Sequence, residues 1–349
     1  MERRFDYVDI AKGIGIMLVI MGHIEYDYVP FCGSVHIPLF FILAGYLYDI
    51  DKTPGRTYGE LVGRRIKRLL VPYFIYNMIL YVKYLLKLIL SHTFTMRLGM
   101  QGFLGFVYSS ALLYKNVPAE ENFEGFVFGN GPLWFLTAMA VSSVIFYFVI
   151  YFVLKHKFDW TKIIVSSLVL CVLSYTLCRV LPVYLPWSIE AALLGTVFML
   201  MGMCLRRYRV IEKTAKQYWL PVLCVLLFAL LHHINGAANL ALQDYGKFMS
   251  VYLVLGLLGT VVVLWISCRF AHNIIINKAL SYVGQNTLII LAFHMTIISM
   301  LISVLGKMRL DALTEWGGFF VISFAVGLFG SLILNEILTR FIKVPKRFL

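Results

Sequence analysis

Charge is scarce in this sequence. Only 14% of the 349 residues are Asp, Glu, Lys or Arg, while 60% are hydrophobic. A soluble domain of this length has no use for that much apolar surface. Metal-binding cysteine pairs are also missing. The six cysteines (Cys32, Cys171, Cys178, Cys204, Cys224, Cys268) form no C-x-x-C, and five lie in or beside apolar runs, which reads as packing. No metal site is expected. There is no P-loop, no H-E-x-x-H, no G-x-S-x-G and no dinucleotide glycine fingerprint, so the chemistries those motifs carry have no support. The ten-residue alternation of an outer-membrane barrel is lacking too. Neither a Gly/Ser- or Pro-rich linker nor a short repeat interrupts the chain, and a single domain over 1–349 is the economical expectation.

What is present is a series of helix-length apolar runs and a mean hydropathy of +0.82. Only helices or closed barrels satisfy the backbone inside lipid. The fold class expected is therefore all-α, a polytopic membrane protein with about ten transmembrane helices. The spans read as 10–27, 34–50, 69–90, 132–154, 163–181, 187–205, 218–234, 249–268, 283–305 and 317–340. Residues 101–114 are too short to cross comfortably and read as interfacial or re-entrant. The N-terminus has the basic-then-apolar order of a signal peptide without a good A-x-A site, and is expected to stay as the first span.

The net charge of +13 tests this topology. With the N-terminus in the cytosol, every internal connection is basic. All but Lys83, Lys87, Arg97, Lys115, Arg179, Lys247, Lys307 and Arg309 of the 31 basic residues then fall on the cytosolic side. The even span number returns the C-terminus there as well. Positive-inside anchoring thus accounts for most of the charge, and no nucleic acid partner is expected.

The first span reads D-I-A-K-G-I-G-I-M-L-V-I-M-G-H, from Asp9 to His23. Lys12 and His23 are eleven residues apart, within about 20° of three helical turns, so they share a face at a rise of roughly 16 Å. Ionisable groups on one face of a spanning segment are a functional-site hypothesis by default. The second span begins S-V-H-I-P-L-F-F-I-L-A-G-Y-L-Y and brings His36 in at the external end, where His23 leaves. Glu25 and Asp27 lie in the turn between, able to orient or charge a histidine.

R-R-I-K-R-L-L-V-P-Y follows the second span (Arg64–Tyr73). Positive-inside anchoring explains it fully. The functional alternative is a phosphate clamp from Arg64, Arg65 and Arg68, because guanidinium meets phosphate bidentately. Trp134 and Phe135 in G-P-L-W-F-L read either as an aromatic belt or as a stacking wall for a sugar. His294, in G-Q-N-T-L-I-I-L-A-F-H, falls about mid-membrane and suits either hydrogen bonding within the bundle or a site role, in which it is expected to bind substrate with Trp134 and Phe135. Glu190 and Glu336 are acids in or near spans, serving structure or a proton path.

These five motifs, in this order and on these sides of the membrane, resemble membrane-bound acyltransferase family 3, and within it the fucose 4-O-acetylase-like group. The likeness covers nearly the whole chain. The first-span basic residue is Lys12, where many relatives carry Arg, which keeps the charge and loses the fork.

The resemblance implies transfer of an acyl group, usually acetyl, from cytosolic acyl-CoA to a hydroxyl of an extracytoplasmic or lipid-linked glycan. It implies a catalytic His23 and an essential basic residue, Lys12. Acetyl-CoA is then the donor substrate, and no permanently bound cofactor is expected. The partners are acyl-CoA, the glycan acceptor and the lipid bilayer of the plasma membrane, with homo-oligomerisation left open. Lys12 and the clamp arginines would hold the nucleotide end, and the pantetheine arm would reach His23, which takes the hydroxyl proton. Glu25 or Asp27 would fix its tautomer. His36 or Trp134 would steady the thioester oxyanion or the sugar. The rival from another class is a proton-coupled transporter or flippase built on Lys12, His23, His294, Glu190 and Glu336.

Overall fold

The structure is a computed structural model that describes residues 6–24, 29–52, 56–110, 131–310 and 318–341. Among the described residues there are helices and no strands. In chain order the helices are α1 (Asp6–Ile24), α2 (Cys32–Tyr46), α3 (Tyr58–Leu90), α4 (Met96–Tyr108), α5 (Trp134–Phe148), α6 (Trp160–Val180) and α7 (Ile189–Arg207). They continue with α8 (Val210–Thr214), α9 (Trp219–Asn235), α10 (Met249–Phe270), α11 (Ile274–Gln285), α12 (Thr287–Lys307) and α13 (Phe319–Phe341). Eight helices among the described residues are long and apolar enough to cross a membrane, and α2 and α9 are shorter apolar helices. The chain is an all-α polytopic membrane protein.

The helix starts follow from side chains that satisfy the first free N–H groups. At α3, Thr57 Oγ1 accepts from Glu60 N at 3.3 Å while Thr57 N donates to Glu60 Oε2 at 2.9 Å, a complete capping box. Thr95 caps α4, Asp159 caps α6, and Asn273 caps α11.

Two compact units can be distinguished. The first comprises Met1–Leu43, Tyr208–Asn239 and Tyr245–Leu349. Within it α1 is the axial element, packed by α10, α11, α12 and α13. Glycines allow this crowding. A Cβ on Gly284 would land on the Asp9 carbonyl oxygen, and one on Gly13 would land on the Leu280 carbonyl. The backbones of α1 and α11 therefore touch, as small residues permit between membrane helices. A Cβ on Gly15 would come within 2.7 Å of Leu39 of α2, and one on Gly327 of α13 within 2.9 Å of Ile298 of α12.

The second unit comprises Ala44–Arg207 and Leu240–Asp244. In it α3 packs on α4 and α5, and α7 packs on α5 and α6. Polar side chains stitch the α5–α7 contact. Ser142 Oγ donates to the carbonyls of Ala138 and Ala192, both at 2.8 Å, and Thr196 Oγ1 donates to Ala192 O at 2.9 Å. α4 lies on the tyrosines of α3, with Tyr81 OH donating to Gly99 O at 2.9 Å and Tyr73 OH to Phe106 O at 2.5 Å.

Two helices start at other places than the expected spans do. α3 begins at Tyr58 and carries the Arg64–Arg68 cluster inside its helical body, because the Thr57 capping box starts it well before the apolar run. The span expected at 283–305 is present as α12, its start shifted to Thr287 by a short separate helix before it. α11 ends at Gln285 and α12 starts at Thr287, with Asn286 Nδ2 donating to Tyr282 O at 2.7 Å and Asn286 Oδ1 accepting from Asn335 of α13 at 2.9 Å. Residues 96–108 form one short helix, α4, over the first part of the segment 101–114 expected to be interfacial or re-entrant, and 111–114 lie outside the described residues.

Candidate functional site

The last turn of α1 carries His23. Its Nδ1 lies 2.7 Å from the Val19 carbonyl oxygen, one turn back along the helix. A carbonyl only accepts, so Nδ1 bears the hydrogen, and the neutral ring presents its lone pair at Nε2. His294 repeats the arrangement in α12, with Nδ1 2.7 Å from Ile290 O, and His36 repeats it in α2 with the Cys32 carbonyl. Three histidines of the first unit thus share one tautomer, set by their own helices.

They also lie together. The His23 and His294 rings meet edge to face, their centres 5.1 Å apart and their planes at 64°. His36 is near enough to His23 for the two to interact electrostatically. His36 stands beside the turn that carries His23, its Cε1 3.8 Å from where a Cβ on Gly22 would lie. The three differ in access. His23 is exposed, His36 is 8% exposed and His294 is fully buried. The Nε2 of His294 is enclosed and has no hydrogen-bond partner among the described residues. Among the described residues no three His, Cys, Asp or Glu side chains are grouped to hold a metal ion.

Lys12 sits eleven residues before His23 on the same continuous helix. Its Nζ is 3.0 Å from Asp9 Oδ1, and its side chain is 28% exposed. The buried Asp9 thus holds the ammonium in place while leaving part of it open.

The expected clamp belongs to the second unit. Arg65 Nε donates to Ser143 Oγ at 3.4 Å, and that hydroxyl donates to Met139 O at 2.7 Å, so α5 steadies the half-buried guanidinium. Arg64 Nε donates to Glu60 O at 3.2 Å. Arg64 and Arg68 are exposed. At the start of α5, Trp134 is only 5% exposed, and its ring meets that of Phe135, which is half-buried, with centres 6.3 Å apart.

Glu25 and Asp27 lie outside the described residues. Glu190, 1% exposed, accepts from Leu185 N at 2.9 Å and so holds the turn before α7. Glu336 accepts from Tyr282 OH at 2.8 Å and pairs with Arg340. Both acids have structural partners. Sequence reasoning missed Asp9 as the partner of Lys12 and Ser143 as the partner of Arg65. The first carries a signal, an Asp three residues before a Lys in a helix. The second joins positions 78 residues apart and carries none.

A family model described as "Acyltransferase domain", the third of the acyltransferase families, matches residues 5–336. No curated protein and no solved structure matches the chain.

Proposed function

The chain belongs to membrane acyltransferase family 3, and from that premise we propose that it moves an acyl group, acetyl, from cytosolic acyl-CoA to a hydroxyl of an extracytoplasmic or lipid-linked glycan. The plasma membrane is the proposed location, and the fucose 4-O-acetylase-like group the proposed subgroup. The observation that carries the chemistry is the exposed His23 ring with Nδ1 committed to Val19 O.

A hydroxyl is a weak nucleophile. His23 Nε2 takes its proton as the oxygen attacks the thioester carbonyl, and the proton then passes to the departing thiolate. The Val19 carbonyl supports the tautomer this step needs. Lys12, steadied by Asp9, offers positive charge at the other end of α1, roughly 16 Å away. That distance is comparable with the reach of a pantetheine arm. His36 is assigned to the acyl oxygen or the acceptor sugar. In the second unit Arg64, Arg65 and Arg68 are assigned to the anionic nucleotide end of the donor. Trp134 and Phe135 are assigned to the acceptor, Phe135 having the more open ring.

The test is a comparison by mass spectrometry of surface glycans from a strain lacking the gene and its parent. The proposal expects a species lighter by one acyl group in the deletion strain, restored by the wild-type gene. Identical glycan masses in the two strains would overturn it.

A further inference from the structure

Lys83 and Lys87 stand one turn apart on α3, and both are exposed. Positive-inside anchoring does not account for them. They are near enough to repel each other electrostatically. Like charges four residues apart destabilise a helix, and a nearby acid is the usual relief. None is supplied here. The sequence has no Asp or Glu from Leu61 to Ala119, and among the described residues neither ammonium has a hydrogen-bond or ion-pair partner.

Their depth in the membrane follows from the length of α3. Lys83 lies fifteen residues beyond Arg68 and Lys87 nineteen, which is a rise of roughly 22 and 28 Å. The hydrocarbon core is about 30 Å thick. With the Arg64–Arg68 cluster at one interface, Lys87 reaches the opposite one. Lys83 then lies about a turn inside it, within the reach of a snorkelling side chain.

The surface around the pair is apolar and open. Ile75, Ile79, Lys83 and Lys87 form one i,i+4 row, with the isoleucines toward the middle of the bilayer. Ile79 is 42% exposed, and its neighbours Val82 and Leu86 are 47% and 53% exposed. The other side of α3 is occupied by α4. Tyr81 OH donates to Gly99 O at 2.9 Å and Tyr84 OH to Leu98 O at 3.3 Å, so α4 runs antiparallel to α3. These bonds leave the lysine row uncovered. They also bring the exposed Arg97 to the same depth as a third cation.

We propose that the Lys83–Lys87 pair binds the phosphate of a net-anionic phospholipid, whose acyl chain lies along the row of Ile75 and Ile79. The phosphate oxygens accept from both ammonium groups and cancel their repulsion. A zwitterionic headgroup brings a cation of its own, which the pair repels. A headgroup of net charge −1, such as that of phosphatidylglycerol, brings none. The shape of the site matches the shape of such a lipid, with charge at the interface and apolar surface below it. This inference stands apart from the acyl-transfer reading, and its test reads lipid binding and not turnover.

Full-length protein in mild detergent is titrated with phosphatidylglycerol or phosphatidylcholine, and bound lipid is counted by native mass spectrometry. Wild type should prefer phosphatidylglycerol. Lys83→Gln/Lys87→Gln should bind it roughly tenfold or more weakly, while Lys83→Arg/Lys87→Arg keeps the preference. Lys307→Gln is the control, since that exposed lysine of α12 has no cation one turn before it. It should bind both lipids as wild type does. No preference in wild type, equal binding by wild type and the glutamine double variant, or an equal loss in Lys307→Gln would overturn the proposal.

Thermal unfolding gives a second readout. Removing a like-charge pair relieves repulsion, so the glutamine double variant should fold and melt without lipid at or above the wild-type temperature. Phosphatidylglycerol should raise the melting temperature of wild type and not that of the double variant. Inorganic phosphate at the same concentration should raise neither. Stabilisation of wild type by inorganic phosphate as strong as by the lipid would assign the pair to a soluble anion and overturn the proposal.

Discussion

Gly284 of α11 lies against the carbonyl oxygen of Asp9 in α1, in a space with no room for a Cβ. This contact fixes the depth at which the Lys12 end of α1 enters the first unit. Gly284→Ala must push the two backbones apart, and overpacking of this kind costs about 1–3 kcal/mol. Thermal unfolding in detergent should show a clear fall. Gly63→Ala is the control, because nothing lies within 4 Å of a Cβ there. In a helical position it should leave stability unchanged or raise it by up to about 1 kcal/mol. Equal melting temperatures for Gly284→Ala and wild type would contradict the close contact.

Lys12 and Asp9 form an i,i+3 pair at 3.0 Å on a partly buried face. If Lys12 acts by charge, Lys12→Arg should retain activity and Lys12→Met should lose most of it. Lys12→Met also takes the cation away from the buried Asp9 carboxylate, so each variant's folding is checked by its melting temperature in detergent and activity is compared per folded protein. Equal activity in Lys12→Met and wild type would remove Lys12 from the site.

Arg65 and Arg68 lie three residues apart on α3, with Arg65 braced by Ser143 and Arg68 open. Removing a charge-assisted phosphate contact costs about 1.5–3 kcal/mol, or about ten- to a hundredfold in affinity. Arg65→Ala and Arg68→Ala should each weaken acetyl-CoA binding on that scale, measured by calorimetry. The effect should shrink as salt is raised. An unchanged Kd in the double variant would leave these residues as topology anchors alone.

Phe135 is half-buried and Trp134 nearly closed, so the two aromatic residues should separate under substitution. Phe135→Ala should raise KM for the glycan acceptor and leave acetyl-CoA binding intact. Trp134→Ala should chiefly lower stability, by about 3–5 kcal/mol for a buried aromatic side chain. Identical acceptor KM in Phe135→Ala and wild type would count against the stacking role.

The membrane architecture was legible because hydropathy runs and helix length are one-dimensional properties. The Lys12–His23 stripe was legible for the same reason, being set by residues of one continuous helix. The start of α3 was missed although Thr57 and Glu60 spell a capping box, because the apolar run begins a dozen residues later. The start of α12 at Thr287 falls four residues after the expected start of that span, because the polar run G-Q-N-T is short and apolar sequence follows at once. Asn286 Oδ1 accepts there from Asn335 Nδ2, 49 residues away. The meeting of His23 and His294 joins positions 271 residues apart, and only packing of α12 on α1 creates it. The shared tautomer of the three histidines has no sequence signal, since any helical histidine can donate to the carbonyl four residues before it.

His23 is the centre of the account, and one assay addresses it directly. Membranes holding equal amounts of wild-type and His23→Ala protein are supplied with labelled acetyl-CoA, and label entering the glycan fraction is counted. The account predicts that His23→Ala lowers transfer by at least about a hundredfold while still binding acetyl-CoA. Transfer by His23→Ala at the wild-type rate would contradict it.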